Sequence, residues 1–261
     1  MLAAQRQALI VEEVQRRGAV RVSDLTRQFG VSEMTIRRDL DLLVQHGLVD
    51  KVHGGATTRR ASSTEEPGFE AKWLRQQREK EAIVRAAARQ VRPGTAVGLS
   101  AGTTTWTLAH EIREISGLTV VTNSIQVAEV LYGGSAEQTV VLTGGVRTPS
   151  DALVGPVAVS ALHQLHLDIV FMGVHGMDVR SGFTTPNLLE ADANRAFVRA
   201  ARQLAVVADH TKWGVLGIST IAALEDADLV VTDDGMPEDA LRLLGERVGE
   251  LVVVSADRSR S

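Results

Sequence analysis

Two arginines, Arg37 and Arg38, follow closely after Met34 and Thr35, and this short stretch carries side chains suited to reading DNA. An arginine can donate two hydrogen bonds to the major-groove edge of guanine, and a threonine can contact a thymine methyl group or a phosphate. A charge pair of this kind can also lie on a solvated helix face with no ligand. Arg38 is therefore a candidate for base recognition, and Arg37 for contacts that position the DNA backbone.

The segment around these arginines has the periodicity of an amphipathic helix. Ser32 is a favoured helix N-cap, and an acidic residue in the first turn suits the helix dipole. At about 100° per residue, Arg38 lies almost opposite the apolar stripe, with Thr35 and Met34 on either side of it. A helix with an apolar back and a Thr/Arg front is typical of DNA recognition. The apolar stripe consists of Ile36, Leu40, Leu43 and Val44.

The neighbouring residues predict a winged helix-turn-helix domain over residues 1–57. Residues 3–17 have a helical pattern, Ser23 caps a second predicted helix over Asp24–Phe29, and a glycine-containing turn leads into the recognition helix. Leu48–His53 is expected to be extended and to form the wing. Outside the recognition helix, Arg21, Lys51 and His53 are expected to contact the DNA backbone, and Gly54 either approaches a phosphate or only forms a turn.

The charge distribution agrees with a small DNA-binding domain at the N-terminus. The chain of 261 residues has a net charge of -4, but residues 1–60 hold ten Lys/Arg and seven Asp/Glu. The basic excess therefore lies where phosphate contacts are expected. The chain has no cysteine, which excludes disulfides and thiolate metal sites and fits a cytoplasmic protein. The N-terminal residues are interrupted by charges, so neither a signal peptide nor a membrane span is expected there.

The rest of the chain predicts a larger α/β domain. Residues 58–68 are small and polar and predict a linker, and residues 69–261 predict an effector domain that opens with one long helix over Phe69–Val91. Short apolar runs then alternate with helical stretches, which predicts a mostly parallel, Rossmann-like sheet with helices on both faces. The predicted strands are Ala96–Leu99, Leu118–Thr122, Thr139–Leu142, Asp168–Met172, Leu204–Ala208, Leu229–Thr232 and Leu251–Val254.

The loop after the first of these strands has the composition of a phosphate-binding site. Small residues between a strand and a helix start expose backbone N–H groups, and the helix dipole adds positive potential. The loop lacks a Gly-Lys-Ser/Thr sequence, so it is not a Walker loop. A tight strand-to-helix turn with threonine as a cap is the equal alternative. Its candidate residues are Ser100, Gly102, Thr103, Thr104 and Thr105.

Other polar or glycine-rich segments follow predicted strands, where ligands of open α/β sheets bind. Asn123, Gly145 and Gly176 could line a shared pocket, although a helix cap and two turns would explain them too. Lys212 could supply a cation to a phosphate or sugar oxygen, or lie on a solvated loop. Glu190 could be only a partner of its helix dipole. No third histidine joins His175 and His210 at ligand spacing, so neither a metal nor a cofactor is expected.

At the level of motifs, the sequence resembles the DeoR family of bacterial transcriptional repressors. The resemblance rests on VSEMTIRRDL at Val31–Leu40, on Leu43–Leu48, and on HGGA at His53–Ala56. It continues through SAGTTT, TNS, LTGG, the Asp168–Gly176 region, Glu190 and the Asp209–Lys212 segment. One departure is Asp50-Lys51 in the wing, where the family more often has a basic residue first.

The resemblance implies an effector domain with the ribose-5-phosphate isomerase fold that responds to phosphorylated sugars. By position, Ser100, Gly102, Thr103, Thr104 and Thr105 would hold the phosphate. Asn123, Gly145, Gly176, Glu190 and Lys212 would be candidate sugar contacts. The isomerases carry an acidic catalytic stretch, and most of that acidity is absent from Gly173–Asp178, which argues against catalysis.

We therefore expect a DNA-binding regulator, a repressor of carbohydrate-metabolism genes, whose binding to a double-stranded operator is modulated by a phosphorylated sugar. A domain of this size reads few base pairs, so a homodimer or homotetramer on repeated half-sites is expected. Two alternatives stay open at this point. One is a sugar-phosphate isomerase-like enzyme with a fused DNA-binding arm. The other is a DNA-binding protein whose large domain serves only for assembly.

Overall fold

A computed structural model gives the structure of the chain and describes residues 3–52, 54–57, 68–134 and 137–256. The chain forms two compact units, Met1–Gln77 and Arg78–Ser261. The division therefore falls after Gln77, within the segment that the sequence assigns to the effector domain. The predicted linker lies almost wholly outside the described residues. No helix among the described residues is long and apolar enough to cross a membrane.

The first unit has the helix-turn-helix and wing that the sequence predicts. Its three short strands pair antiparallel in the order β1-β3-β2, and its three longer helices enclose a core that includes Ile10, Leu25, Ile36 and Leu43. The elements are α1 (Ala3–Arg17), β1 (Ala19–Arg21), α2 (Val22–Phe29), α3 (Glu33–Gln45), β2 (Asp50–Val52), β3 (Gly55–Thr57) and α4 (Phe69–Trp73).

Helices α2 and α3 of this unit begin in different ways. Ser32 caps α3 as predicted, because its side chain accepts a hydrogen bond from the Thr35 amide. The prediction that Ser23 caps the second helix is wrong. The helix begins at Val22, and its N-cap residue, Arg21, makes no side-chain capping bond. Val22 is buried in the core, so packing fixes this helix start two residues before the one that the capping preference predicts.

The single long helix predicted over Phe69–Val91 is divided in the structure. Gln76 has φ 50, in the left-handed region that side chains rarely adopt, and it separates α4 from α5 (Gln77–Ala87). The side chains of Ala71 and Leu74 join the apolar core of the first unit. Phe69–Trp73 therefore belongs structurally to the DNA-binding unit.

The second unit is built on a seven-stranded sheet in which every neighbouring pair is parallel, as predicted. The strand order is β15-β14-β12-β9-β4-β5-β6. Its strands are β4 (Ala96–Leu99), β5 (Thr119–Thr122), β6 (Thr139–Leu142), β9 (Ile169–Met172), β12 (Leu204–Val207), β14 (Leu229–Asp233) and β15 (Glu250–Val254). Its other helices are α6 (Thr103–Ile112), α7 (Ile125–Tyr132), α8 (Pro156–Leu162), α9 (Leu188–Ala200) and α10 (Glu238–Arg247).

Alternate residues of the sheet face two separate cores. Ile83 of α5 and Leu108 of α6 pack on one face, and Phe197 of α9 and Leu244 of α10 pack on the other. The second face also carries a small antiparallel sheet, in the order β10-β11-β13, that the sequence alternation does not predict. The remaining strands are β7 (Val146–Arg147), β8 (Leu153–Val154), β10 (Gly176–Asp178), β11 (Gly182–Thr185) and β13 (Ser219–Ala222).

Candidate functional site

The exposed face of α3 carries the side chains predicted to read DNA. Met34, Arg37 and Arg38 are exposed on the side away from the core, and Met34 is 79% exposed. Thr35 is half-buried, and its hydroxyl lies 2.9 Å from the Ser32 hydroxyl.

The basic residues of this unit differ in whether they are already paired. Arg37 Nη2 lies 3.4 Å from Glu33 Oε2, and Lys51 Nζ lies 2.5 Å from Asp41 Oδ1. Within the described part of the chain, neither Arg38 nor Arg21 has a side-chain partner. Arg38 can therefore meet a base edge without first giving up an internal ion pair.

The last two residues predicted to contact the DNA backbone are Gly54 and His53. Gly54 has φ 78 and would meet no atom within 4 Å if it carried a Cβ, so its backbone conformation favours glycine. Its role at a phosphate stays a prediction. His53 lies outside the described residues.

In the second unit, the strand order reverses between β4 and β9. From β4 the chain proceeds outward through β5 and β6, and β9 and its successors then build the opposite half of the sheet. Ligands of open α/β sheets bind beyond the carboxyl ends of strands at such a switch point. The loops that follow β4 and β9 begin at Ser100 and Gly173. The Gly173 N–H donates to Ser100 Oγ at 3.2 Å, so the two loops meet.

The Ser100–Thr105 loop is shaped by its own side chains. Thr105 is fully buried, and its hydroxyl donates to the carbonyl oxygens of Ser100 at 2.6 Å and Gly102 at 3.0 Å. Ser100 is also fully buried. Of the three threonine hydroxyls predicted to donate to a phosphate, that of Thr105 is therefore committed to the loop. The first amides of α6 have no acceptor within the helix and are the donors that an anion could use.

Asn123 holds this loop to its neighbour. Its side-chain Oδ1 accepts from the Ala101 N–H at 2.8 Å, and its Nδ2 donates to the Leu153 carbonyl at 3.1 Å. The Leu153 N–H donates to the Asn123 carbonyl at 2.7 Å. The structure therefore places Asn123 between the loop after β4 and the start of β8, where it bonds to the backbone of both.

Glu190 lies on the other side of the 148–153 turn, where three hydroxyls meet its carboxylate. Thr148 donates to Oε1 at 3.1 Å, Thr185 donates to Oε2 at 3.2 Å, and Ser150 also donates to Oε1. Thr148 Oγ1 additionally accepts from the Ala152 N–H. Sequence reasoning missed Thr148 and Ser150, since they lie far from Glu190 along the chain and follow no predicted strand.

A charged cluster surrounds Lys212 after β12. Asp209 is buried and accepts hydrogen bonds from the Thr211 N–H, at 3.0 Å, and from the Thr211 hydroxyl. Burial would raise the pKa of Asp209, but the charges of Lys212 and Lys80 and the Thr211 hydroxyl outweigh it, so this pKa lies below its ordinary value. Lys80, only 4% exposed, is a residue that sequence reasoning missed. The sequence signal that could have found Lys80 is its position among the apolar residues on the buried side of α5.

His210 in the same cluster is bound to a buried carboxylate. Its Nδ1 lies 2.6 Å from Asp233 Oδ2, and its backbone N–H donates to Asp233 Oδ1 at 2.8 Å. The hydrogen bond to Asp233 raises the pKa of His210 above its ordinary value, against the opposing effect of partial burial. A protonated histidine here would add positive charge beside Lys212.

The two glycines among the predicted sugar contacts have structural reasons to be glycine. A Cβ at Gly176 would lie 2.0 Å from the Val215 carbonyl oxygen. A Cβ at Gly145, which has φ 123, would lie 2.5 Å from the Val154 carbonyl oxygen. Close backbone approach therefore explains both residue types without a ligand.

The predicted effector residues fall into three groups. Hydrogen bonds and packing connect the Ser100–Thr105 loop, Asn123 and Glu190 through the 148–153 turn. Gly145 lies against Val154, next to the first group. Lys212 lies in the cluster after β12, and Gly176 lies in the small sheet. Across the described ranges, no group of three or more His, Asp or Glu side chains could hold a metal ion.

Comparison with known proteins gives matches over both units. A family described as "DeoR-like helix-turn-helix domain" matches residues 6–61, and one described as "DeoR C terminal sensor domain" matches residues 75–234. The uncharacterized HTH-type transcriptional regulator YgbI of Escherichia coli K12 is 36% identical over 254 residues, 97% of this chain and 98% of that protein. The glycerol-3-phosphate regulon repressor of the same strain is 30% identical, over 94% of this chain and 96% of that protein.

Among solved structures, a ribose 5-phosphate isomerase A from Methanocaldococcus jannaschii aligns with 51% of this chain and 53% of its own. The sequence identity of that alignment is 14%, and the TM-score is 0.38. An eIF2B delta from Chaetomium thermophilum aligns with 61% of this chain and 59% of its own, at 15% identity and a TM-score of 0.44.

Proposed function

Since the chain belongs to the DeoR family of helix-turn-helix transcriptional regulators, we propose that Arg38 reads a base edge in its operator and that a phosphorylated sugar modulates the binding. The chain is a regulator of carbohydrate-metabolism genes and not an enzyme, as the names of its full-length relatives agree. The single observation that carries the DNA-reading role is the exposed guanidinium of Arg38, which has no partner among the described residues.

On the DNA side, α3 enters the major groove with Met34, Thr35 and Arg38 towards the bases. Arg38 donates to a guanine edge, and the methyl groups of Met34 and Thr35 are positioned for apolar contact with a thymine methyl. Arg21, Arg37, Lys51, His53 and Gly54 contact phosphates on either side and set the register, as does the Ser32 hydroxyl.

On the sensor side, the phosphate group lies at the N-terminus of α6. The backbone amides of Gly102, Thr103 and Thr104 donate to it, with the Thr103 and Thr104 hydroxyls close by. Ser100, Thr105 and Asn123 give the loop its shape. Lys212 adds a cation, Glu190 accepts from sugar hydroxyls, and Gly145 and Gly176 let the backbone turn around the ligand.

The two sites are coupled by linkage. The sugar phosphate shifts the population between DNA-competent and DNA-incompetent arrangements only as far as its affinities for the two differ. A helix-turn-helix of this size reads only a short half-site. The protein therefore binds a palindromic operator as a symmetric homodimer or homotetramer, which places one such domain on each half-site. The genes beside this one would narrow the choice of sugar.

Thr104→Ala and Thr105→Ala separate ligand binding from loop architecture. Thr104→Ala removes a hydroxyl from the proposed phosphate site and should weaken sugar-phosphate binding with little change in thermal stability. Thr105→Ala removes a buried, bonded hydroxyl and should lower the unfolding free energy by about 1 kcal/mol. The measurement is a thermal-shift screen of phosphorylated pentoses and hexoses on the wild type and both variants.

The same screen tests the remaining alternative, in which the large domain serves only for assembly. If none of the phosphorylated sugars raises the melting temperature of the wild type, the sensor role is contradicted. That result would favour a domain used only for assembly. Loss of binding on Thr105→Ala together with full binding on Thr104→Ala would contradict the division between the two threonines.

A further inference from the structure

A buried ion pair joins the recognition helix to the first helix of the chain. Arg6 of α1 is 8% exposed and Asp39 of α3 is 3% exposed. Arg6 Nε donates to Asp39 Oδ2 at 2.6 Å, and Arg6 Nη2 donates to Oδ1 at 3.3 Å. Gln7 Nε2 donates to the same Oδ1 at 3.0 Å. One carboxylate of the recognition helix therefore receives three hydrogen bonds from two consecutive residues of α1.

Stability alone is a weak reason for this pair. Removing two charges from water costs several kcal/mol per ion, and well-packed apolar residues of similar volume often give equal or greater stability. Apolar packing already holds α3 in place, since Ile36, Leu40 and Leu43 are all buried in the core of the unit. The geometric restraint that the pair imposes is the better explanation.

The restraint concerns rotation of the helix about its own axis. Contacts between apolar side chains have little directionality, so the stripe of α3 tolerates small rotations. A forked guanidinium on a carboxylate fixes distance and plane together. Asp39 is adjacent to Arg38, about 100° away on the helix surface, so the direction of one side chain sets the direction of the other.

We propose that Asp39, held by Arg6 and Gln7, is a positioning residue that fixes the rotation of α3 and so aims Arg38 at the base edges. The proposal rests on the proposed role of Arg38 in DNA reading. Arg6 and Gln7 lie on α1 and not on the recognition helix. They affect discrimination between DNA sequences through Asp39.

A double substitution separates the positional role from stability. The variant Arg6→Met with Asp39→Leu replaces the ion pair with apolar side chains of similar size. It should keep the wild-type melting temperature to within a few degrees and lower the ratio of operator to random-duplex affinity about tenfold or more, or about 1.4 kcal/mol. Affinity for random duplex and its salt dependence should stay at wild-type values, because the phosphate-facing cations are unchanged.

The matched control removes an ion pair that lies within α1. Glu13 and Arg17 pair with each other, both on α1, so Glu13→Leu with Arg17→Met should leave the affinity ratio near that of wild type. If the double variant at Arg6 and Asp39 does not fold, Gln7→Leu tests the same restraint. It removes one of the three bonds and should lower the ratio about two- to threefold.

Affinities are measured by gel-shift titration of the full chain, at one salt concentration, against its own upstream DNA and a random duplex of equal length. A folded Arg6→Met/Asp39→Leu protein with the wild-type ratio overturns the proposal, as does Gln7→Leu with the wild-type ratio if the double variant is unfolded. Failure of the proposed function is distinguishable, since the wild type would then show no preference for its upstream DNA.

Discussion

Met34 and Arg38 extend from α3 into solvent, whereas Ser100 and Thr105 in the loop after β4 are fully buried and bonded to the chain. Both regions carry polar or adaptable side chains predicted to contact a ligand. In the first, those side chains are free to contact a large partner that approaches from outside. In the second, Ser100 and Thr105 already use their hydroxyls to hold the backbone of the loop in place.

The difference indicates how each region achieves recognition. The DNA-facing surface depends on side-chain atoms that contact bases, so a substitution there should alter binding and leave folding intact. The sensor loop depends on backbone amides whose positions are set by residues such as Asn123. A substitution of a residue that shapes this loop, such as Thr105 or Asn123, should alter folding first, and binding as a consequence. Three experiments test this contrast, in order of expected effect.

The largest effect is expected at Gly176, in the sensor unit. Gly176→Ala places a Cβ against the Val215 carbonyl oxygen, which is backbone and cannot rotate away. The unfolding free energy should fall by about 3 kcal/mol, the upper end of the usual cost of overpacking. The control is Gly173→Ala, where no atom lies within 4 Å of the added Cβ. Urea denaturation measures both, and equal stability of the two variants would contradict the backbone explanation.

A smaller effect is expected on α3, and on binding alone. Arg38→Ala should lower the preference for operator over random duplex by about 2 kcal/mol, or roughly thirtyfold, with unchanged thermal stability. Arg37→Ala is the matched comparison, since Arg37 is paired with Glu33 and is assigned to phosphate. It should weaken operator and random duplex about equally. A variant of Arg38 that keeps full preference in gel-shift titration would remove the base-reading role.

The smallest effect is expected from His210, through pH. The pKa of His210 is raised in the folded protein by its bond to Asp233, so the folded state binds this proton more tightly than the unfolded state. The resulting stability is fully present below the unfolded pKa of about 6.5 and is lost as pH rises through the folded pKa. His210→Gln should therefore lose more stability relative to wild type at pH 5.5 than at pH 8.5. Urea denaturation at both values provides the measurement, and a constant difference would contradict the assignment.

The sequence predicts those elements whose signals are local. Thr139–Leu142 and Ala96–Leu99 are short, mostly apolar runs, and their predicted bounds agree with the structure, but only Ala96–Leu99 is a central strand, since β6 lies at the sheet edge with Thr139 and Leu142 exposed. The antiparallel strands β10, β11 and β13 escape prediction because they are short, and because β13 pairs with β11 from a distant part of the chain. The break at Gln76 escapes it too, since glutamine is not a residue that interrupts helices by itself.

The candidate site shows even more clearly that local sequence signals do not predict contacts between distant parts of the chain. The sequence predicts the strand before the Ser100–Thr105 loop and the helix after it, so it also predicts where this loop lies. The hydroxyls of Thr148 and Ser150 around Glu190 depend on how a turn folds back across the sheet edge. Periodicity carries no information about such long-range contacts, so residue type and strand ends alone miss them.

The internal pairing of Lys51 with Asp41, and of Arg37 with Glu33, has a consequence for how the protein responds to ionic strength. When Lys51 or Arg37 leaves its carboxylate to bind a DNA phosphate, it forms one ion pair and breaks another. The slope of log affinity against log salt counts the ions released from DNA, and it also includes the ions taken up by the two vacated acids. The net slope should therefore be shallower than the number of basic side chains at the DNA surface would indicate.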